Sequence, residues 1–155
     1  MVELNKSTII EDIWKNFYNS LNGNYSSINF GDGIIKTVNS ISSNYPDKVF
    51  TSESSYPIVI INSPSFDSNF FSYGKRVCDG SITIEMYTLQ AKTADMLLSQ
   101  TLNLIETNKN SLSEVQLYNV EVQDIDNDMY ERGGLKVHYR RVIFTFNFIY
   151  GRHGY

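Results

Sequence analysis

The last long stretch of the chain, Leu135-Lys-Val-His-Tyr-Arg-Arg-Val-Ile-Phe-Thr-Phe-Asn-Phe-Ile-Tyr150, most narrowly limits what this sequence can fold into. It is rich in β-branched and aromatic residues, contains no Gly or Pro, and follows the turn-forming pair Gly133-Gly134. That composition predicts one long strand rather than a helix. Val142, Phe144, Phe146, Phe148 and Tyr150 share one face at period two, while Ile143, Thr145, Asn147 and Ile149 share the other. One face is thus strongly apolar and the other mixed. The stretch exceeds the roughly 3–10 residues usual for a strand. It is expected at the centre of a sheet, with its basic early half, Lys136 to Arg141, reaching beyond the core.

The rest of the chain supplies partners for such a strand. Ile10, Ile13, Trp14, Phe17 and Leu21 follow the i, i+3, i+4 spacing of a helix with one buried face. Thr8 and Glu11 have capping-box spacing at its start, and Asn22-Gly23-Asn24 ends it. From Tyr25 to Ser55 the sequence is rich in Ser, Asn and Gly, with one short strand expected around Ile34 to Val38 and a long exposed loop over Ser40 to Ser55. Pro57-Ile-Val-Ile-Ile-Asn62 is apolar up to its closing Asn, as in a strand covered on both faces. Phe70 to Val77 and Ser81 to Thr88 read as a hairpin turning at Cys78-Asp79-Gly80. A second helix is expected from a Thr93 cap, with Asp95 in its first turn and Ala94, Leu97, Leu98, Thr101, Leu104 and Ile105 facing the core. Val115 to Val122 is a less regular strand, and Asp124-Ile-Asp-Asn-Asp128 reads as an acidic loop before the final strand.

Together these elements predict one α+β domain spanning residues 1–155. It holds a single, mainly antiparallel (mixed) β-sheet with two helices packed on one side. A long loop joins the first helix to the central strands, and a short Gly-rich tail at 151–155 is expected to be poorly ordered. A chain this long can bury roughly 68–70% of its unfolded surface without staples. The single cysteine, Cys78, leaves no intrachain disulfide. No run approaches the roughly 18 apolar residues of a membrane span, and no signal-peptide pattern opens the chain.

Charge is polarised. Met129 to Tyr155 carries five Lys/Arg against one Glu, whereas the remainder carries eight basic and sixteen acidic residues. Such a chain is suited to meeting oppositely charged neighbours, and its dispersed cations make a poor phosphate track. Catalytic patterns are absent from the sequence. Asp124, Asp126 and Asp128 have the opening rhythm of a calcium loop, but the required Gly and Glu positions hold Met129 and Leu135. Gly31-Asp32-Gly33 lacks the remainder of a phosphate loop. A Cys78–His138 nucleophile pair has no local signature behind it, and His153 lies in the tail. The expectation is therefore no catalytic residue, no cofactor and no metal.

The order helix, Ser/Asn-rich region, strand, hairpin, helix, strand, acidic loop, long strand resembles the tail terminator (tail completion) proteins of long-tailed bacteriophages and related viruses. The resemblance is carried by Ser55-Tyr-Pro-Ile-Val-Ile-Ile61, Gly80-Ser-Ile-Thr-Ile-Glu-Met-Tyr-Thr88, the helix from Ala94-Asp-Met-Leu-Leu98 to Ile105, and Gly133 through Phe148. It implies a structural virion protein without enzymatic activity, forming a homohexameric ring at the tail–neck junction after assembly in the host cytoplasm. Such a ring caps the tail tube protein, stops its polymerisation and joins a head-completion or neck protein. Genome DNA passes through its lumen unread, and no membrane is involved. On this reading Arg132, Lys136, His138, Arg140, Arg141, Tyr45 and Tyr56 are the expected subunit or tube contacts. Asp124, Asp126 and Asp128 are expected to face the lumen. The alternatives are another neck or connector ring protein, or a small non-viral ligand-binding or enzymatic domain.

Overall fold

The computed structural model describes residues 9–25, 28–29, 35–36, 40–42, 56–66, 77–115, 117–132 and 134–149. In chain order the elements are α1 (Ile9–Leu21), β1 (Ile28–Asn29), β2 (Ile35–Lys36), β3 (Ser40–Ser42), β4 (Ile58–Ile61) and β5 (Ser65–Phe66). They continue with β6 (Val77–Thr88), α2 (Ala91–Thr107), α3 (Lys109–Glu114), β7 (Leu117–Arg132) and β8 (Leu135–Ile149). The main sheet runs β3-β4-β6-β8-β7, with β5 also pairing β6, while β1 and β2 form a separate antiparallel pair. Only the β3–β4 pairing in the main sheet is parallel. The architecture is the expected α+β fold built on a mainly antiparallel, mixed sheet.

The final strand is interior, as expected, because β6 pairs it from Val77↔Ile149 to Thr88↔His138 and β7 pairs its other side. Val142, Phe144, Phe146 and Phe148 are buried beneath the helices together with Val59, Ile61, Ile82, Ile84 and Met86. Each fully buried side chain of this size is worth roughly 1.5–3 kcal/mol over exposure. In α1 the buried stripe is Ile9, Ile13, Phe17 and Leu21, and Ile10 is 52% exposed. The stripe therefore starts one residue earlier than expected, since spacing by four carries it straight back to Ile9. Trp14 Nε1 donates to Ile61 O at 2.7 Å and fastens α1 to β4. Gly23, at φ +76°, ends the helix as expected. Thr8 lies outside the described residues, and Glu11 pairs with Lys15 at 2.7 Å.

The second helix begins earlier than its expected cap. Thr93 is inside α2, where its hydroxyl donates to Gln90 O at 2.9 Å. Deeper along α2, Thr101 donates to Leu97 O at 2.9 Å, and its Oγ1 lies 2.7 Å from the Tyr25 hydroxyl. Ala94, Leu97, Thr101 and Ile105 are buried, with Leu98 and Leu104 packed beside them. A third helix, α3, follows directly where only a helix end was expected.

Two further expectations fail for physical reasons. The Asp79-Gly80 turn does not exist, because Val77–Thr88 is one strand crossing both neighbours. The glycine answers a close approach, since a Cβ there would lie 2.8 Å from Phe146 Cε2 and 3.2 Å from Ser65 O. The Asp124–Asp128 loop is likewise strand, part of the sixteen-residue β7. Strand pairing with β8 holds the acidic segment extended, while its carboxylates stay in solvent.

Candidate assembly surface

The surface that stands apart is the hairpin of β7 and β8. It closes between Arg132 and Leu135, with Gly134 at φ +81°. Leu135, Lys136 and Val137 lie past the last β6 pair, Thr88↔His138, so this end of the hairpin is two-stranded. Two register shifts interrupt β7, one between Tyr118 and Glu121 and one between Val122 and Asp124. Asn119 sits in the first at φ 53° and donates from Nδ2 to Asn147 Oδ1 at 2.9 Å. The second turns Asp124 to the opposite face from Val122: Val122 pairs helix-facing Phe144, whereas Asp124 pairs Ile143.

The bulges sort β7 into two faces. On the face away from the helices lie Asp124, Asp126 and Asp128, opposite Ile143, Arg141 and Tyr139. Arg141 Nη2 is 3.1 Å from Asp126 Oδ2 and 3.9 Å from Asp124 Oδ2. Its Nε is shielded from solvent and has no hydrogen-bond partner among the described residues. The register continues this row to Glu85 on β6. Glu85 accepts hydrogen bonds from the Tyr87 hydroxyl at 2.8 Å and from Asn62 Nδ2 at 3.2 Å. Burial first, then the Glu85 bond and charge, push the Tyr87 hydroxyl well above the usual tyrosine range. Tyr139 is raised by burial and by Glu85, with Arg141 opposing. Behind this row, Tyr56, Ile58, Ile60, Tyr87 and Val137 form a second buried cluster, with Tyr130 and Tyr139 packed on it.

On the helix-side face β7 carries Val122, Ile125 and Met129, exposed by 46%, 46% and 51%. Next to Val122, a groove of about 470 Å³ separates α2 from β7, lined by Leu102, Ile105, Val120, Val122 and Phe144 among others.

These contacts correct the expected basic overhang. Arg140 is 9% exposed, not free: its Nε donates to Asp95 Oδ1 at 2.9 Å and its Nη1 to Tyr139 O at 2.9 Å. Because α2 starts at Ala91, Asp95 falls past its first turn, and the guanidinium buried beside it requires that carboxylate. Arg141 is occupied by the β7 aspartates. Of the expected contact residues, Lys136 is exposed, His138 half-buried on the helix side, and Tyr56 buried in the second cluster. Arg132 closes the hairpin, and Tyr45 lies outside the described residues, as do 133, 150 and the tail. Cys78 and His138 stand at opposite ends of the β6–β8 ladder, ten residues apart or roughly 33 Å. That separation ends the nucleophile-pair reading. No group of three metal-ligating side chains occurs among the described residues, and no helix there is long and apolar enough to cross a membrane. The exposed row Val122, Ile125, Met129 escaped the sequence reading, although all three sit in its text as large apolar residues among acids.

No family model matches the chain, and no curated protein does.

Proposed function

We propose that this chain is a ring-forming structural protein of a virus particle, a tail terminator that caps the tail tube, halts its growth and receives the neck. The observation that carries this reading is the β7–β8 hairpin: a long edge strand, charged on one face and apolar on the other, that runs on with β8 past the end of β6. An edge of that length with three exposed large apolar side chains is suited to contact with another protein. The closing end of the hairpin, with Arg132 and the exposed Lys136, is the segment assigned to the neighbouring subunit or tube. Arg140 and Arg141 are withdrawn from that role because they are held within the chain. The chemistry is assembly, without a catalytic step.

Native mass spectrometry and negative-stain imaging of the purified chain, alone and with tube protein, test the reading. A hexameric ring, formed freely or on the tube, is expected. A monomer with no affinity for tube protein overturns it, and binding to portal complexes instead of tube assigns the chain to a connector ring.

A further inference from the structure

Hydrogen-bond parity along the sheet shows which groups of β7 point outward. Asn62 N–H donates to Thr83 O at 2.9 Å, so odd-numbered residues of β6 turn their backbone groups to β4 and even-numbered ones turn theirs to β8. Met86 pairs Arg140, so the even residues of β8 serve β6 and the odd ones serve β7. Arg141 and Tyr139 pair Asp126 and Asp128. It follows that Ile125, Asn127 and Met129 aim their N–H and C=O groups away from the sheet. Among the described residues no strand lies beyond β7.

Two of those outward donors are held by carboxylates of their own strand. Asn127 N–H donates to Asp126 Oδ1 at 2.9 Å, and Met129 N–H donates to Asp128 Oδ1 at 2.8 Å. The edge is therefore closed by removable acidic caps. Charges on an edge strand discourage pairing between copies. Here two β7 edges side by side would set Asp124, Asp126 and Asp128 against the same three carboxylates. Discouraging self-pairing does not account for Val122, Ile125 and Met129, which expose large apolar area on the other face of the same segment.

We propose that the outer edge of β7, from Val122 to Met129, docks an extended segment of a different protein in which basic and apolar residues alternate. Cations on one face of that segment draw the Asp126 and Asp128 carboxylates off their caps. The freed N–H groups of Asn127 and Met129 then bond its carbonyls, as in strand addition. Its alternate apolar side chains cover Ile125 and Met129 and run toward the groove at Val122. Specificity comes from charge: a neutral or acidic strand has nothing to offer the displaced carboxylates. This assigns Asp126 and Asp128 to a protein partner rather than to a DNA-facing wall. It stands apart from ring formation, because one protomer presents the whole edge.

The probe is a blocked synthetic peptide with Lys and Val alternating over eight residues, set against a peptide of the same composition with the lysines in one block. Binding is followed by fluorescence anisotropy, and amide exchange is read by NMR at Asn127 and Met129. The alternating peptide is expected to bind saturably, protect both amides and outbind the block peptide. Asp126→Asn with Asp128→Asn keeps a cap oxygen but removes the charge, and is expected to weaken binding about fivefold. Three results overturn the proposal: equal binding of both peptides, binding without protection of these amides, or protection already present in the free protein through pairing with a second copy. Oligomeric state, read separately by native mass spectrometry, reports on the ring reading alone.

Discussion

β6 and β7 flank the same strand, yet one is buried and the other stands in water. β6 alternates Ile82, Ile84 and Met86 under the helices with Thr83, Glu85 and Tyr87 on the far face, and the second cluster covers part of that face too. β7 pairs with β8 over a longer span, but from Glu121 to Met129 every residue is exposed. Both strands pair along most of β8, so pairing with that strand is not what distinguishes their side-chain burial. What differs is the cover: α1 and α2 lie over β4, β6 and β8, and the edge strand runs out past them. Burial in this fold is set by what lies over each face, and β7 from Glu121 to Met129 is left in solvent.

The largest effect that tests this division comes from a register-linked contrast. Phe146→Ala empties a buried site between Phe17 and Phe148 and is expected to cost about 3–5 kcal/mol in urea denaturation. Val122→Ala, on the edge strand opposite Phe144, is expected to change stability by less than about 0.5 kcal/mol. Similar losses at the two positions would mean that β7 is covered after all.

A smaller contrast separates the two arginines. Asp95→Ala leaves the Arg140 guanidinium buried without its carboxylate and is expected to cost about 1–3 kcal/mol. Asp126→Ala removes an exposed partner of Arg141, and the expected loss is at most about 1 kcal/mol. Equal effects would place Arg140 on the surface with Arg141, restoring the continuous basic overhang that the sequence suggests.

Much of the covered half was legible in the chain. The alternation from Val142 to Phe148 and the apolar stripe of α2 repeat without interruption, so period alone locates their buried faces. Gly80 misled because a glycine required by the Phe146 ring looks the same in sequence as one required by a turn. The aspartates misled because an uncovered edge strand needs no apolar period, and alternating acids resemble a loop. The site was legible only in fragments. Asp124, Asp126, Asp128 and Arg141 stood out as charges, but their meeting depends on the register shift that puts Val122 and Asp124 on opposite faces despite even spacing. The bond from Arg140 to Asp95 spans 45 positions, and no local pattern announces it.

The last effect expected is at alkaline pH, and it too divides the flanking strands. The Tyr87 hydroxyl on β6 is pushed above its ordinary value, chiefly by burial and then by the bond to Glu85 and its charge. A folded-state pKa raised in this way contributes stability that is complete below the unfolded value near 10. That stability drains as the pH climbs above it, because the unfolded chain then releases a proton that the folded chain retains. Tyr87→Phe removes the titrating group while keeping the ring, so its stability is expected to fall less steeply than that of the wild type. The difference is at most about 1.4 kcal/mol per pH unit above that value. Chemical denaturation from pH 9 to 11 measures it, the difference beginning at about pH 10. Parallel curves would show that Tyr87 ionises as easily in the folded chain as in the unfolded one, and that the far face of β6 is open to water like the edge strand beyond it.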